Sequence, residues 1–286
     1  SQAELRGSLG RGAFVDRLLE RIDDPAGLAV AVPPSRVDVV ELLLRGGYPS
    51  IREAGTRLRT AWLSDYVERL LGVDAREGGG RLDPLRLAAV LRLIAANQSG
   101  ELVKARIAQE AALSAASVTG YLDALDRLYL TEDLHPWAVN LTAREIGRRK
   151  VRVGDSGLAA WLCGASVGLL KDVVRGGKVF GALLEGFVVG ELSAQAGWAE
   201  VDYRLYHYRD RRGLEVDVII ELGDGRVIAV EVKSAAGLTG RHFAGLTDLK
   251  RKLGDRLAAG VVLAPVDEPM RYAEGLWGLP LNTLWE

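Results

Sequence analysis

The sequence predicts an all-α first half carrying a winged-helix-like helix-turn-helix, followed by an α/β second half with elements in the order α-β-β-β-α-β. Three observations carry this. Apolar residues recur at helical spacing up to about residue 137. From about residue 141, runs rich in Val and Ile alternate with helical patterns. One of those runs, "RRGLEVDVIIELGDGRVIAVEVKS" (Arg211–Ser234), reads as a β-hairpin, yet it sets Glu215, Asp217, Glu231 and Lys233 inside strands otherwise built for burial. The expected divisions are a helical segment over 1–75, a winged-helix-like domain over 76–140 and an α/β domain over 141–286.

In the first segment Phe14, Leu18, Leu19 and Ile22 mark one helix, and Val37, Val40, Leu43 and Leu44 a second, which Gly46-Gly47-Tyr48-Pro49 stops. Leu58, Trp62, Tyr66, Leu70 and Leu71 form a third stripe, expected to pack in a core. Glu77-Gly78-Gly79-Gly80 reads as a flexible break. Next come helices marked by Leu87, Val90, Leu91 and Ile94, by Ile107, Ala108 and Ala111, and by Val118, Leu122, Leu125 and Tyr129, the last with Ser114 as N-cap. "LTEDLHPWAV" then suits a short β wing. Between Glu101 and His135 there are three basic residues against six acidic ones. A helix that reads DNA needs cations near phosphates, so this module is expected to pack against protein rather than to read a groove.

In the second half Phe180–Ala194 reads as a helix, "VDYRLYHYR" as a strand, Arg241–Leu257 as a helix with a stripe of Phe243, Leu246, Leu249 and Leu253, and "GVVLA" as a buried strand. The hairpin register follows from its loop. A two-residue turn at Asp224-Gly225 sets every charge opposite a Val or Ile. A three-residue loop, Gly223-Asp224-Gly225, instead joins Val216, Val218 and Ile220 to Val232, Val230 and Ile228 on one face, and sets Asp217 opposite Glu231 and Glu215 opposite Lys233 on the other. The second register keeps the apolar face apolar. Opposed carboxylates repel. Protonation, Lys233 or a divalent cation would relieve them, and two carboxylates offer the hard oxygen donors of Mg²⁺ or Mn²⁺. The competing reading is a surface ladder of ion pairs. Glu185, in "FGALLEGFVVGEL", has apolar neighbours at both helical spacings and is expected to be buried, which requires a partner.

Composition bounds the rest. The 286 residues carry 37 Lys and Arg against 38 Asp and Glu, a net charge of −1, and 48% are hydrophobic. This suits one large or two modest domains with real cores. The single Cys163 excludes an intrachain disulfide and a cysteine-based zinc site, and suits a cytoplasmic setting. The longest uncharged run, Ser156–Leu170, has 15 residues, too few to span a bilayer, so no membrane is expected. No P-loop motif and no signal peptide is present. The chain opens on Ser1 rather than Met and is read as a fragment. His135, His207 and His242 share no ligand spacing and are read as structural.

Glu185 on a helix, then Asp217, then Glu231-Val232-Lys233, in that element order, resembles the PD-(D/E)XK nuclease superfamily, with Val216 standing where the motif's name has Pro. More widely, "GGYPSI", "RTAWLSDYVERLL", "KVRVGDSGLAAWL", "GALLEGFVVGEL", "YHYRDRRGLEVDVII" and "VIAVEVKS", in order, resemble the C-terminal region of a family of archaeal and bacterial AAA-type ATPases. The resemblance implies a restriction-endonuclease-like fold over 141–286. It implies that a P-loop ATPase domain precedes this region, with residues 1–75 its tail and linker helices, and that ATP binds only there. It also implies metal-dependent phosphodiester hydrolysis, or a silent nuclease-like fold that binds nucleic acid or protein. Asp217 and Glu231 would hold Mg²⁺ or Mn²⁺ with the Val232 carbonyl, Glu185 would be an outer ligand, and Lys233 would position the attacking water. DNA or RNA contacts would come from Arg209 and from "REIGRRKVR", through Arg144, Arg148, Arg149, Lys150 and Arg152. A homo-oligomer is a further expected partner state.

Overall fold

The computed structural model describes residues 1–28, 32–74, 82–140, 142, 144 and 147–286. The break at 77–80 lies outside them, as do Glu145 and Ile146 of the basic run. The chain forms a mixed α/β protein with a helical N-terminal region and a C-terminal sheet of mixed strands. It separates into two compact units that do not follow chain order. Ser1–Val39, Leu134–Gly147 and Phe187–Glu286 form one, and Val40–Asp133 with Arg148–Gly186 form the other. Among the described residues the strands are β1 Gly100–Glu101, β2 Thr131–Leu134, β3 Lys150–Val153, β4 Tyr203–Arg209, β5 Glu215–Leu222, β6 Val227–Val232, β7 Leu257–Ala264, β8 Met270–Ala273 and β9 Leu276–Pro280.

The first unit is built on a six-stranded sheet ordered β4-β5-β6-β7-β9-β8. β4, β5 and β6 pair antiparallel, β6-β7 and β7-β9 pair parallel, and β8 returns antiparallel at the edge. The parallel step from β6 to β7 needs a crossover, which the helix Ala244–Leu253 supplies. The sequence pattern runs this helix on to Leu257, but Gly254 adopts φ +56° and a 3-10 turn over Gly254–Arg256 ends it, so Leu257 starts β7 instead. Phe243, Leu246 and Leu249 bury their stripe against Ile219, Val227, Ala229 and Val262. The helix can approach β5 this closely because residue 245 is glycine: a Cβ there would sit 2.5 Å from the Glu215 carbonyl oxygen.

The N-terminal residues belong to this unit through buried polar contacts. The Glu191 carboxylate accepts from the Gln2 N–H (2.7 Å), and the Gln195 amide accepts from Phe14 N–H while donating to the Leu284 carbonyl, both at 2.7 Å. Asp16, also buried, accepts from the backbone N–H groups of Glu200 and Val201, both at 3.0 Å. Each contact satisfies backbone groups that have no partner within a helix or strand ladder, at helix starts and loops.

In the second unit the helices Pro84–Ala96, Lys104–Glu110 and Ala115–Arg127 follow the expected stripes, with Leu87, Val90, Leu91, Ile94, Val118, Leu122 and Leu125 all buried. Ser114 caps the third helix, accepting from Ser117 N–H. Tyr129 departs from the expected stripe. It lies beyond the helix at φ +55° and is 89% exposed. The "LTEDLHPWAV" segment does supply a strand, β2. The small sheet is ordered β1-β3-β2, so Lys150–Val153 joins this sheet and not the larger one.

The stripe predicted for the helix Thr56–Arg69 is rotated. Leu58 is 63% exposed, while Leu63, Val67 and Leu71, spaced by four, are buried. Trp62 and Tyr66 are half-buried and stack on each other (4.8 Å between centroids, 12° between planes), with Tyr48 against both. Their aromatic faces satisfy each other, which leaves the aliphatic side of the helix for the core.

Candidate functional site

The hairpin takes the register that keeps its apolar face apolar. Val218 pairs with Val230, Ile219 with Ala229, Ile220 with Ile228 and Glu221 with Val227. The loop closes with Gly225 at φ +84°, a conformation that costs glycine nothing. Both faces of the hairpin are buried. The face shared by Ile219 and Ala229, on which Glu231 falls by strand alternation, lies under the crossover helix. β5 carries one extra residue at Asp217–Val218 relative to β4, and this bulge brings Val216 onto the helix-covered face instead of beside Val218 and Ile220, where the sequence pattern sets it.

The ladder between β5 and β6 ends at Val218↔Val230, one step before the two acids. There a side chain replaces the backbone as hydrogen-bond partner: the Asp217 Oδ2 accepts from Val232 N–H at 2.8 Å. Asp217 is 8% and Glu231 9% exposed. Lys233 donates to Glu231 Oε1 at 2.5 Å, while Glu231 Oε2 is buried with no hydrogen-bond partner. Burial first, and the neighbouring charge of Asp217 second, raise the Glu231 carboxyl from 4.5 to about 7, against the opposing pull of Lys233. Lys233 pairs with Glu231, and the charge of the neighbouring Asp217 adds to burial in raising the proton affinity of Glu231.

Two further groups stand at this end of β6. The Arg36 guanidinium donates to the Ser234 carbonyl at 3.2 Å. The charge of Lys233 acts on His242, whose Nδ1 accepts from Thr239 N–H (3.1 Å) and whose imidazole is held below its ordinary value, by burial first and by that charge second. Arg36 is 198 residues from Ser234, and no local pattern signals it. For His242 the signal is the Thr239-to-His242 spacing of a capping turn, read above as structural.

Glu185 lies in the second unit, on the helix Val173–Gln195, and its carboxylate is held by Lys150 of β3 at 2.7 Å. The expectation that Glu185 has a partner is met by a lysine. Close by on that helix, Gly186 lies against the Gln98 amide, which clamps both backbone groups of Val153. Among the described residues, no group of three or more His, Cys, Asp or Glu side chains is placed to hold a metal ion.

The six basic residues read as phosphate contacts all meet acids. Arg144 forms a two-pronged pair with Glu221 (both contacts 2.6 Å) and lies over the rings of Trp137 and Tyr206. Arg148 meets Glu101 at 3.7 Å, Arg149 meets Asp133, Arg152 meets Glu132, and Arg209 meets Glu215 at 2.8 Å. Lys150 and Arg152, at 7% and 5% exposure, present almost no surface to a phosphate.

The donors at 217 and 231 suit a hard divalent cation in kind. They are two carboxylates, one with a buried oxygen that no hydrogen bond satisfies. Such ions commonly retain waters, so two protein carboxylates are a sufficient start. A cation bound there would supply Lewis acidity and lower the pKa of a bound water.

Comparison with known families adds two matches. Residues 180–284 match a family described as Domain of unknown function (DUF4143), and residues 36–168 match Domain of unknown function (DUF8612). Among individual proteins, uncharacterised proteins of Mycobacterium bovis and Mycobacterium tuberculosis are each 28% identical over 247 residues, which is 79% of this chain and 54% of the relative. The chain thus spans about half the length of the curated relatives it matches. No solved structure matches it.

Proposed function

We propose that the end of the β5–β6 hairpin is a divalent-metal-dependent site for phosphodiester hydrolysis, in a domain of PD-(D/E)XK nuclease type. What carries the reading is Glu231: a buried carboxylate beside Asp217, paired through one oxygen with Lys233 and through the other with nothing. A structural ion pair gains nothing from leaving a buried oxygen without a donor. In this reading Asp217 and Glu231 bind Mg²⁺ or Mn²⁺. Lys233 leaves Glu231 to orient a water and to meet charge on the phosphate. Arg36 reinforces the positive end of β6. Glu185 receives no metal contact, because Lys150 holds it. The three helices and small sheet of the second unit are read as a winged-helix-like module that contacts protein. The remaining half of the longer relatives is read as the P-loop ATPase domain implied by the sequence resemblance.

Incubation of linear and branched DNA and RNA with this chain, with Mn²⁺ and with chelator, tests the proposal. Cleavage that needs Mn²⁺ and disappears in Asp217→Asn supports it, and absence of cleavage on every substrate sinks it.

One observation favours a second reading, a nuclease-like fold that binds without turnover. Every basic residue singled out for phosphate contact already has an acidic partner. That reading expects metal-independent binding of nucleic acid or protein, and no cleavage.

A further inference from the structure

The second unit contains a cavity of about 370 Å³ between the helices Arg36–Arg45, Thr56–Arg69 and Ser156–Leu162. All its lining residues belong to that unit. Two of them are Arg45 and Arg59. Many arginines of the molecule pair with acids, as the runs around Arg144–Arg152 and Arg209–Arg212 illustrate, while others, such as Arg17 and Arg256, donate to backbone carbonyls. Arg45 and Arg59 have no acidic partner among the described residues. Arg59 donates through Nη2 to the Ala54 carbonyl, but its Nε is buried with no acceptor. Two guanidinium groups that line one cavity, with no carboxylate paired to either among the described residues, suit an anionic ligand.

The rest of the lining narrows the ligand. Trp161 offers a flat ring, Leu63 an apolar floor, Thr60 a hydroxyl and Glu41 a carboxylate. The frame is held firmly. Asp155, half-buried, accepts from Gly47 N–H (2.6 Å) and Leu158 N–H (2.8 Å), so one carboxylate ties the turn after the first helix to the start of the third. Gly157 makes this approach possible, since a Cβ there would lie 2.9 Å from the Gly46 Cα.

The geometry points to a binding site for a mononucleotide-sized phosphate ester. The phosphate lies on Arg45 and Arg59, the planar base lies against Trp161, and Glu41 accepts from sugar hydroxyls. The volume suits one nucleotide. Planar guanidinium forks match phosphate oxygens, and an indole face stacks on a base. The site is independent of the hairpin and of the reading given to it.

The test is calorimetric titration of the full chain with AMP, GMP, CMP and UMP, with the matching nucleosides, with inorganic phosphate and with a 5′-phosphorylated dinucleotide. At least one mononucleotide binds with one site per chain, on the order of ten-fold more tightly than its nucleoside or phosphate alone. Arg45→Gln and Arg59→Gln each weaken it by about ten-fold, the scale of one lost charge-assisted hydrogen bond. Trp161→Leu weakens the nucleotide and leaves phosphate unchanged. Equal affinity for the dinucleotide assigns the site to a strand end, and weaker affinity assigns it to a free nucleotide. If Arg59→Gln unfolds, Arg45→Gln carries the test, because the Arg45 side chain makes no hydrogen bond to lose. No binding by any mononucleotide at millimolar concentration overturns the inference. So does binding that survives Arg45→Gln unchanged.

Discussion

Replacing Asp217 by Asn removes one of two buried, neighbouring carboxylates and keeps the shape. The Asn carbonyl can still accept from Val232 N–H, so the bond that closes the end of the ladder survives. What changes is the charge next to Glu231. That carboxyl is raised from 4.5 to about 7. At ~1.4 kcal/mol per pKa unit, the shift corresponds to ~3 kcal/mol. Burial is its larger cause and Asp217 its second, so the share of Asp217 is ~1 kcal/mol. The folded protein holds a proton on Glu231 over a range in which the unfolded chain has released it. The wild type is therefore free of this penalty below about pH 4.5, and loses stability as pH rises from there to about 7. Asp217→Asn recovers ~1 kcal/mol above pH 7, or ~2 °C in Tm for a chain of this length, and very little at pH 5. Urea unfolding of both proteins at pH 5 and pH 8 measures the two differences. A variant less stable than wild type at pH 8, or an identical difference at both pH values, refutes the reasoning.

Mn²⁺ should raise the unfolding midpoint of the wild type by mass action and that of Asp217→Asn much less. Because a ligand carboxylate must be ionised, the apparent affinity should fall up to ten-fold per pH unit below about 7, and a pH-independent affinity measured by calorimetry would exclude Glu231 as a ligand. Lys150→Met leaves the Glu185 carboxylate without its lysine and should cost ~3 kcal/mol in urea unfolding, with Glu185→Leu in the same chain restoring most of it. Leu63→Ala should cost ~3 kcal/mol and Leu58→Ala less than ~0.5 kcal/mol, and comparable losses would mean that the helix face is misassigned.

What the sequence made legible was mostly local. A Gly-Asp-Gly loop between two Val-rich runs admits one register without stranding apolar side chains, and Val218 does meet Val230. Ser114 caps its helix because a hydroxyl there can reach an amide three residues on. The misses depend on distant partners. The stripe of Leu58, Trp62 and Tyr66 satisfies helical periodicity as well as the stripe of Leu63 and Val67. Only the presence of Tyr48 beside the two rings selects the second. "KVRV" falls by chain position within the α/β stretch over 141–286. Its assignment to the small sheet follows from pairing with Gly100 and Glu101. The acidic character of Glu185 was legible as a need for a partner, but Lys150 looked like a surface cation in a basic run. Arg45 and Arg59 carry no motif, and their interest arises only from the cavity that brings them together.

The amide of Gln195 ties Phe14 to Leu284, and Glu191 holds Gln2 across 189 residues of chain. A ribosome adding about 5–20 residues per second delivers Glu191 some ten to forty seconds after Gln2. For that interval the apolar residues Phe14, Val15 and Leu18, all fully buried in the finished unit, have no native surface to cover them. Synthesis thus includes a waiting period for Phe14, Val15 and Leu18, during which a chaperone, or an early encounter with another nascent chain, has an opportunity to act.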